Sequence, residues 1–217
     1  MVEPAADATV TISGEGDCEA LSVVVESDGD ANVEYEISNA CHVESVRAVD
    51  AFREPTGTLG DPTRPPAHTV QTSGRASPTS GQQCDWVHSS QTVQDVANVD
   101  IAKHRLNTYR CWDGHETSMV KWTARSYTGV PWNHASGRPD IVLFDSDWGA
   151  TASAQSSGKF HTDWVWCNVK SRWQGIELRN THVSYPNGGY RVTFWQNGSC
   201  PGTHIATGVK ADSKAEW

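Results

Sequence analysis

The chain has 217 residues, ten tryptophans, six cysteines and a formal net charge of −9. This length fits one large β domain or two small domains. No apolar run approaches the roughly 20 residues that a membrane-spanning helix needs, which excludes membrane insertion by a helix. The charge is concentrated in residues 1–50, and this acidic segment argues against nucleic acid as a partner, because phosphates would be repelled.

Residues 1–53 form an acidic N-terminal β segment. Residues 1–50 hold twelve Asp or Glu and one Arg. Strands are predicted at Thr9–Ile12, Leu21–Val25 and Val33–Ile37, with Asp28-Gly29 as a hairpin turn between the last two. About fifty residues are too few for an independent core. The segment therefore needs a disulfide, the rest of the chain or another protein to cover its apolar face.

Residues 54–82 are predicted to be a linker or a long loop. Eighteen of these 29 positions are Gly, Pro, Ser or Thr. Such a composition buries too little apolar surface to offset the entropy lost on ordering.

Residues 83–217 hold all ten tryptophans and form a Trp-rich β domain. One short helix is predicted around Val93–His104. The clearest hairpin turn lies in Tyr185–Tyr190, where Asn187-Gly188 suits positive φ angles. Beyond it, Tyr190, Val192 and Phe194 are expected on one face and Arg191, Thr193 and Trp195 on the other. The remaining predicted strands are Asn107–Trp112, Ser118–Ala124, Asp140–Phe144, Thr162–Val169, Gly175–Tyr185 and Tyr190–Trp195.

The predicted fold class is all-β: a disulfide-stapled antiparallel sandwich or jelly-roll, with the acidic N-terminal segment contributing strands. The even number of widely spaced cysteines predicts disulfides and an oxidising, extracellular location. Fifteen complete pairings are open to six cysteines. We favour pairing of sequence neighbours, Cys18–Cys41, Cys84–Cys111 and Cys167–Cys200. The start of the chain, Met1–Pro4, lacks the features of a signal peptide, so we expect a mature form carrying an added Met.

The tryptophans supply the leading candidate for a ligand site. Trp164 and Trp166 are two residues apart on a predicted strand, so their rings share one face. Val165, Cys167 and Val169 would occupy the buried face. We assign Trp164, Trp166 and Trp195 as stacking residues for a polysaccharide, or as contacts for a cell-surface protein. The alternative is that these rings pack inside the domain.

Metal sites are weaker candidates, and no other cofactor is expected. Asp145 and Asp147 open a D-x-D-x-G sequence, which could begin a calcium loop, although the ligands of an EF-hand do not follow. His161 and Asp163 share a strand face and could bind an ion together with His182 or His204. His115-Glu116 begins like a zinc-protease motif, but Met119 stands where the second histidine belongs.

An enzyme is the less favoured reading. The chain has no G-x-S-x-G elbow and no glycine-rich phosphate loop. Cys84 could not act as a nucleophile within a disulfide. Paired carboxylates for a hydrolase would come from Asp113, Glu116, Asp145, Asp147, Asp163 and Glu177.

Three functions are therefore predicted. The first is a secreted, non-enzymatic module that binds an extracellular polysaccharide. The second is a subunit of an extracellular assembly that is joined through strands of residues 1–50. The third is a secreted hydrolase that uses paired carboxylates or a metal.

Overall fold

The computed structural model of the protein describes residues 8–13, 22–27, 33–37, 42–48, 68–73, 81–95, 97, 99–128, 132–134, 140–145, 148–162, 175–197 and 203–212. Within these ranges, fourteen β-strands form the regular structure. In chain order they are β1 (Ala8–Ser13), β2 (Ser22–Ser27), β3 (Val33–Ile37), β4 (Val43–Ala48), β5 (His68–Ser73), β6 (Gln83–Asp95), β7 (Asp100–Trp112), β8 (Thr117–Thr128), β9 (Trp132–His134), β10 (Asp140–Asp145), β11 (Ala152–Thr162), β12 (Gly175–Ser184), β13 (Tyr190–Asn197) and β14 (Thr203–Asp212).

The strands form two antiparallel sheets of seven strands each. Sheet I has the order β1-β2-β13-β12-β11-β10, with β9 also pairing with β11. Sheet II has the order β4-β3-β14-β6-β7-β8-β5. Strands β11 and β12 of sheet I pack against β6, β7 and β8 of sheet II, so the two sheets form a sandwich. The all-β prediction and the antiparallel sandwich are confirmed.

The hairpin of β12 and β13 follows the sequence pattern closely. Tyr190, Val192 and Phe194 are buried, while Arg191 is exposed and Trp195 is half-buried, as the alternation predicts. Gly188 takes a φ of +88°, and its N–H donates to the carbonyl oxygen of Tyr185 at 3.1 Å. Asn-Gly suits this turn because glycine adopts positive φ without steric cost.

The N-terminal strands enter both sheets. Strand β2 pairs with β13 in sheet I, and β3 pairs with β14 in sheet II. The predicted hairpin at Asp28-Gly29 is therefore wrong, because β2 and β3 lie in different sheets. Long-range partners determined this pairing, and a local turn signal carries no information about them. Strand β5 lies inside the predicted 54–82 linker and pairs with β8. The three-part division of the chain stays a prediction.

The predicted helix at Val93–His104 is wrong. Val93 belongs to the end of β6, and β7 begins at Asp100. The Asp95 carboxylate closes the turn between them, because its Oδ1 accepts the N–H groups of Ala97 at 2.8 Å and Val99 at 2.9 Å. The described residues contain no helix long and apolar enough to span a membrane.

One predicted disulfide is present in the described part of the chain. Cys84 and Cys111 are paired directly across β6 and β7 and form a disulfide, with their Cα atoms 4.1 Å apart. The other two predicted pairs, Cys18–Cys41 and Cys167–Cys200, lie outside the described residues.

The interior of the sandwich combines an apolar cluster with a buried polar network. The apolar cluster includes Val23 and Val25 of β2 and Phe194 of β13, with Val10 and Ile12 of β1 packed against it. The polar network lies between β6–β8 and β11–β12 and is held by hydrogen bonds across the two sheets. Its buried members include Ser89, Gln91, His104, Thr108, Ser156, Asn180 and His182.

Candidate functional site

The outer face of sheet I, which points away from sheet II, carries the candidate site. Ser157 of β11, Arg179 of β12 and Trp195 of β13 are directly paired across three adjacent strands. Their neighbours Leu178 and Phe194 are buried in the interior. Because side chains alternate along a strand, this row of three residues projects outward. We call the surface of β11–β13 around this row the Trp195 face.

Trp195 and Arg179 form the centre of the Trp195 face. The guanidinium carbon of Arg179 lies 4.4 Å from the centroid of the Trp195 ring. This distance is within the range of a cation–π contact. Trp195 is half-buried and the Arg179 side chain is 35% exposed. The pair is therefore an oriented aromatic–cation surface that remains in contact with solvent.

Charged and polar neighbours surround this pair. Glu177 Oε1 accepts a hydrogen bond from Arg179 Nη2 at 3.1 Å, and its Oε2 lies 4.0 Å from Lys159 Nζ. Further along the same strands, the Thr181 hydroxyl donates to Gln155 Oε1 at 3.3 Å. Such groups, together with an aromatic ring, form the mixed apolar and hydrogen-bonding surface that polar ligands need.

Buried Gln91 of sheet II supports the backbone under this surface. Its carboxamide nitrogen lies 2.8 Å from the Arg179 carbonyl oxygen, 3.4 Å from that of Trp195 and 2.6 Å from Asn180 Oδ1. A single buried side chain therefore fixes β12 and β13 relative to each other directly beneath the aromatic–cation pair. A binding surface on strands held in this way is preorganised.

The other predicted stacking residues, Trp164 and Trp166, lie outside the described residues. The same holds for Asp147 and Asp163. Asp145 ends β10, and nothing is described of its side chain. Among the described residues, no group of three or more His, Cys, Asp or Glu is placed to bind a metal.

The histidines of the metal hypothesis do not converge. His161 lies half-buried in β11, on the outer side of sheet I. His182 is 1% exposed in the interior, and both its ring nitrogens contact hydroxyl groups. His204 of sheet II contacts Gln94 instead, with 3.0 Å between His204 Nε2 and Gln94 Oε1. Neither His182 nor His204 can therefore join His161 at one ion, and this part of the prediction is wrong.

Two of the candidate catalytic residues have structural roles. Asp113 Oδ1 accepts the backbone N–H groups of Glu116 and His115, each at 2.9 Å. The N–H groups of Glu116 and His115 hold the pKa of Asp113 below its ordinary value. Cys84 is in the disulfide with Cys111 and has no free thiol.

Arg179 and Gln91 were not identified from the sequence. The alternation of Ile176 and Leu178 with Glu177 and Arg179 would have placed Arg179 on the solvent face of its strand. A two-residue turn at Asn187-Gly188 would have paired Arg179 with Gln196, whereas the register of the structure pairs it with Trp195. Gln91 comes from a strand 88 residues away from Arg179, and no local pattern indicates that contact.

No protein-family model matches this sequence, and no curated protein and no solved structure is similar to it. The fold and the site therefore define the chain only as an all-β sandwich protein with a disulfide and an aromatic–cation surface on one sheet.

Proposed function

We propose that the protein is a secreted, non-enzymatic binding module, and that an extracellular polysaccharide binds to the Trp195 face. The observation that carries this proposal is the half-buried Trp195 ring, held beside Arg179 on the solvent side of sheet I. The apolar face of a sugar ring stacks on an indole ring. The hydroxyl groups of the sugar form hydrogen bonds to neighbouring polar side chains.

The surroundings of Trp195 support a ligand with many hydroxyl groups. Gln155, Glu177, Thr181 and Arg179 offer both acceptors and donors on the two adjacent strands β11 and β12. Because these side chains stand on paired strands, they keep fixed spacings along and across the sheet. An extended polymer can contact several of them at once. Trp164 and Trp166 remain proposed members of the stacking surface.

The Cys84–Cys111 disulfide supports an oxidising, extracellular location. We also propose that the strands follow a jelly-roll connectivity. The acidic N-terminal segment is proposed to be a unit of its own. Calcium at Asp145 and Asp147 stays a prediction.

Binding is favoured over hydrolysis by the positions of the described carboxylates. Glu177 is engaged with Arg179 and Lys159, and Asp113 caps a turn. Each carboxylate already has partners of its own among the described residues, whereas glycoside hydrolysis by two carboxylates needs a pair that faces one glycosidic bond.

Assembly through residues 1–50 is less supported than it was from the sequence alone. The sequence suggested assembly because the apolar face of this segment was expected to need a cover. In the structure, Val23 and Val25 are fully buried within this chain. An assembly through this segment would have to use the outer edge of β1 or of β4, the strands that end the two sheets in the described part of the chain.

The test is a binding assay of the full chain against a panel of soluble neutral and acidic polysaccharides. Trp195→Ala should weaken binding at least about tenfold, as truncation of an aromatic anchor typically does. Thr11→Ala is the control, since Thr11 is an exposed residue of the edge strand β1. An unchanged affinity in Trp195→Ala for a polysaccharide that binds the parent protein would exclude this site.

A further inference from the structure

We infer that the polysaccharide is acidic, with carboxylate or sulfate groups on its sugars, and that Arg179 binds one of these groups. This inference rests on the proposed function and specifies its ligand.

The local charge of the Trp195 face is opposite to that of the chain. The chain carries a net charge of −9, most of it in residues 1–50. Strands β11–β13 instead hold three basic residues, Lys159, Arg179 and Arg191, and one acidic residue, Glu177. Arg191 is paired with Glu26 of the adjacent strand β2, so an excess of one positive charge remains near Arg179. An anionic polymer is therefore attracted to this face even though the molecule as a whole is acidic.

Glu177 does not neutralise both of its cationic neighbours. It lies 3.1 Å from Arg179 Nη2 and 4.0 Å from Lys159 Nζ. One carboxylate shared between two cations leaves an excess of one positive charge next to Trp195. The Glu177 side chain is 19% exposed, against 35% for Arg179 and 43% for Lys159, so the cations are the more accessible partners.

The guanidinium of Arg179 is positioned to accept an anion. Its Nη2 is engaged with Glu177, whereas its Nη1 has no hydrogen-bond partner among the described residues. The planar guanidinium lies over the Trp195 ring, so its orientation is set before a ligand arrives. Arginine forms strong, directed hydrogen bonds to carboxylate and sulfate oxygens. A sugar at the indole therefore places an acidic substituent within reach of Arg179.

Arg191 provides a matched comparison on the same sheet face. It is paired with Glu26 of β2, with 2.6 Å between Arg191 Nε and Glu26 Oε1. The exposed fractions of their side chains are 44% and 41%. Arg191 therefore carries the same charge as Arg179 on the same face, but its charge is balanced by one partner of its own.

The experiment is isothermal titration calorimetry with three polymers: polygalacturonate, dextran sulfate and neutral dextran. The parent protein, Arg179→Gln and Arg191→Gln are compared at low salt and at physiological ionic strength. We expect one or both anionic polymers to bind better than dextran, and more weakly at the higher salt. Arg179→Gln should lose about tenfold in affinity, and Arg191→Gln less than about threefold. Polygalacturonate and dextran sulfate separate a carboxylate from a sulfate ligand.

The other outcomes separate a failure of the acidic ligand from a failure of the polysaccharide proposal. Equal binding of dextran and both anionic polymers, or equal losses in the two variants, would overturn the acidic ligand and leave the polysaccharide proposal standing. Absence of binding to these polymers and to the wider panel would overturn both. Circular dichroism of Arg179→Gln confirms that a loss of affinity is not a loss of fold.

Discussion

The Nε2 nitrogen of His182 lies 2.6 Å from the hydroxyl oxygen of Ser89, although the two residues belong to opposite sheets. Ser89 also donates to the Leu106 carbonyl oxygen at 3.3 Å and accepts from Asn180 Nδ2 at 2.9 Å. This pattern makes His182 Nε2 the donor to Ser89 and Nδ1 the acceptor from the Thr108 hydroxyl, 2.9 Å away. The sheets are thus joined through a buried, neutral histidine rather than through apolar contacts alone.

We predict from this contact that the protein loses stability in acid through His182. Burial, followed by the nearby charges of His88 and Arg110, lowers the pKa of His182 from 6.5 to about 3. Between these two pH values the unfolded chain binds a proton that the folded protein does not. The contribution of His182 is therefore complete above about pH 6.5 and is lost as the pH falls toward 3. It reaches a few kcal/mol, since each unit of pKa corresponds to about 1.4 kcal/mol.

Urea unfolding at a series of pH values between 4 and 8 measures this effect. His182→Gln should reduce the slope of unfolding free energy against pH, even if it lowers the stability at neutral pH. The control variant is Thr11→Ala, at an exposed residue that does not titrate, and it should keep the slope of the parent protein. Identical slopes in all three proteins would disprove the role of His182.

Gly158→Ala should destabilise the protein by about 1–3 kcal/mol, the range for overpacking of a buried position. A Cβ atom at this position would lie 2.7 Å from Ser126 Oγ and 2.8 Å from His104 Nδ1. Those two atoms are themselves hydrogen-bonded at 2.9 Å, so the insertion also disturbs a buried contact. A double-mutant cycle checks the cause by comparing the unfolding free energies of Gly158→Ala, Ser126→Ala and the double variant. Removal of the hydroxyl should make Gly158→Ala less costly, and strictly additive effects would contradict the steric explanation.

Gly188→Ala and Gly81→Ala should destabilise the protein to different extents, although both glycines have positive φ angles, +88° and +102°. Both substitutions carry a backbone strain of about 1 kcal/mol. At Gly188 the new Cβ would also lie 2.7 Å from Trp112 Nε1, whereas nothing lies within 4 Å at Gly81. We expect Gly188→Ala to cost about 1 kcal/mol more than Gly81→Ala in chemical unfolding. Equal losses would show that the indole moves without penalty.

Arg110→Lys should lower the unfolding free energy by about 2–4 kcal/mol, because lysine cannot form the bidentate contact that Arg110 makes with the Asp85 carboxylate. Arg110 Nε and Nη2 donate to the Asp85 carboxylate at 2.7 and 3.0 Å, and Nη1 donates to the Gly189 carbonyl oxygen at 2.7 Å. Its guanidinium also lies within 5 Å of the Trp112 and Tyr190 ring centroids.

The exposed pair of Arg191 and Glu26 is the reference for this prediction. Arg191→Lys should change the unfolding free energy by less than about 0.5 kcal/mol, as is usual for surface ion pairs. Thermal unfolding of both variants makes the comparison. A loss of stability in Arg110→Lys no larger than in Arg191→Lys would contradict the importance of burial.

The sequence predicted the features that depend on local patterns. Tyr190, Val192 and Phe194 alternate with polar residues, and Gly188 marks the turn, so the β12–β13 hairpin was found. The helix prediction failed because apolar residues recur every three positions at Val93, Val96, Val99 and Ala102. That spacing resembles a helix, but here it crosses a turn.

The polar interior could not be predicted, because a buried polar strand resembles an exposed one in sequence. Residues 88–92 of β6 read His-Ser-Ser-Gln-Thr, yet all of them are at most 1% exposed. The burial of Ser89 and Gln91 depends on partners such as Asn180 and His182, which are about 90 residues distant in the chain. The Trp195 face was found only in part, for the same reason. Its aromatic residue was assigned from the sequence, and the support by Gln91 required the structure.

The pairing of β2 with β13 and of β3 with β14 also sets the order in which the molecule can fold. Glu26 and Arg191, neighbours in the finished sheet, are 165 residues apart in the chain. During synthesis β2 and β3 lack these partners until nearly the whole chain has been made. Closing such long loops is slow, so both sheets are completed late and together.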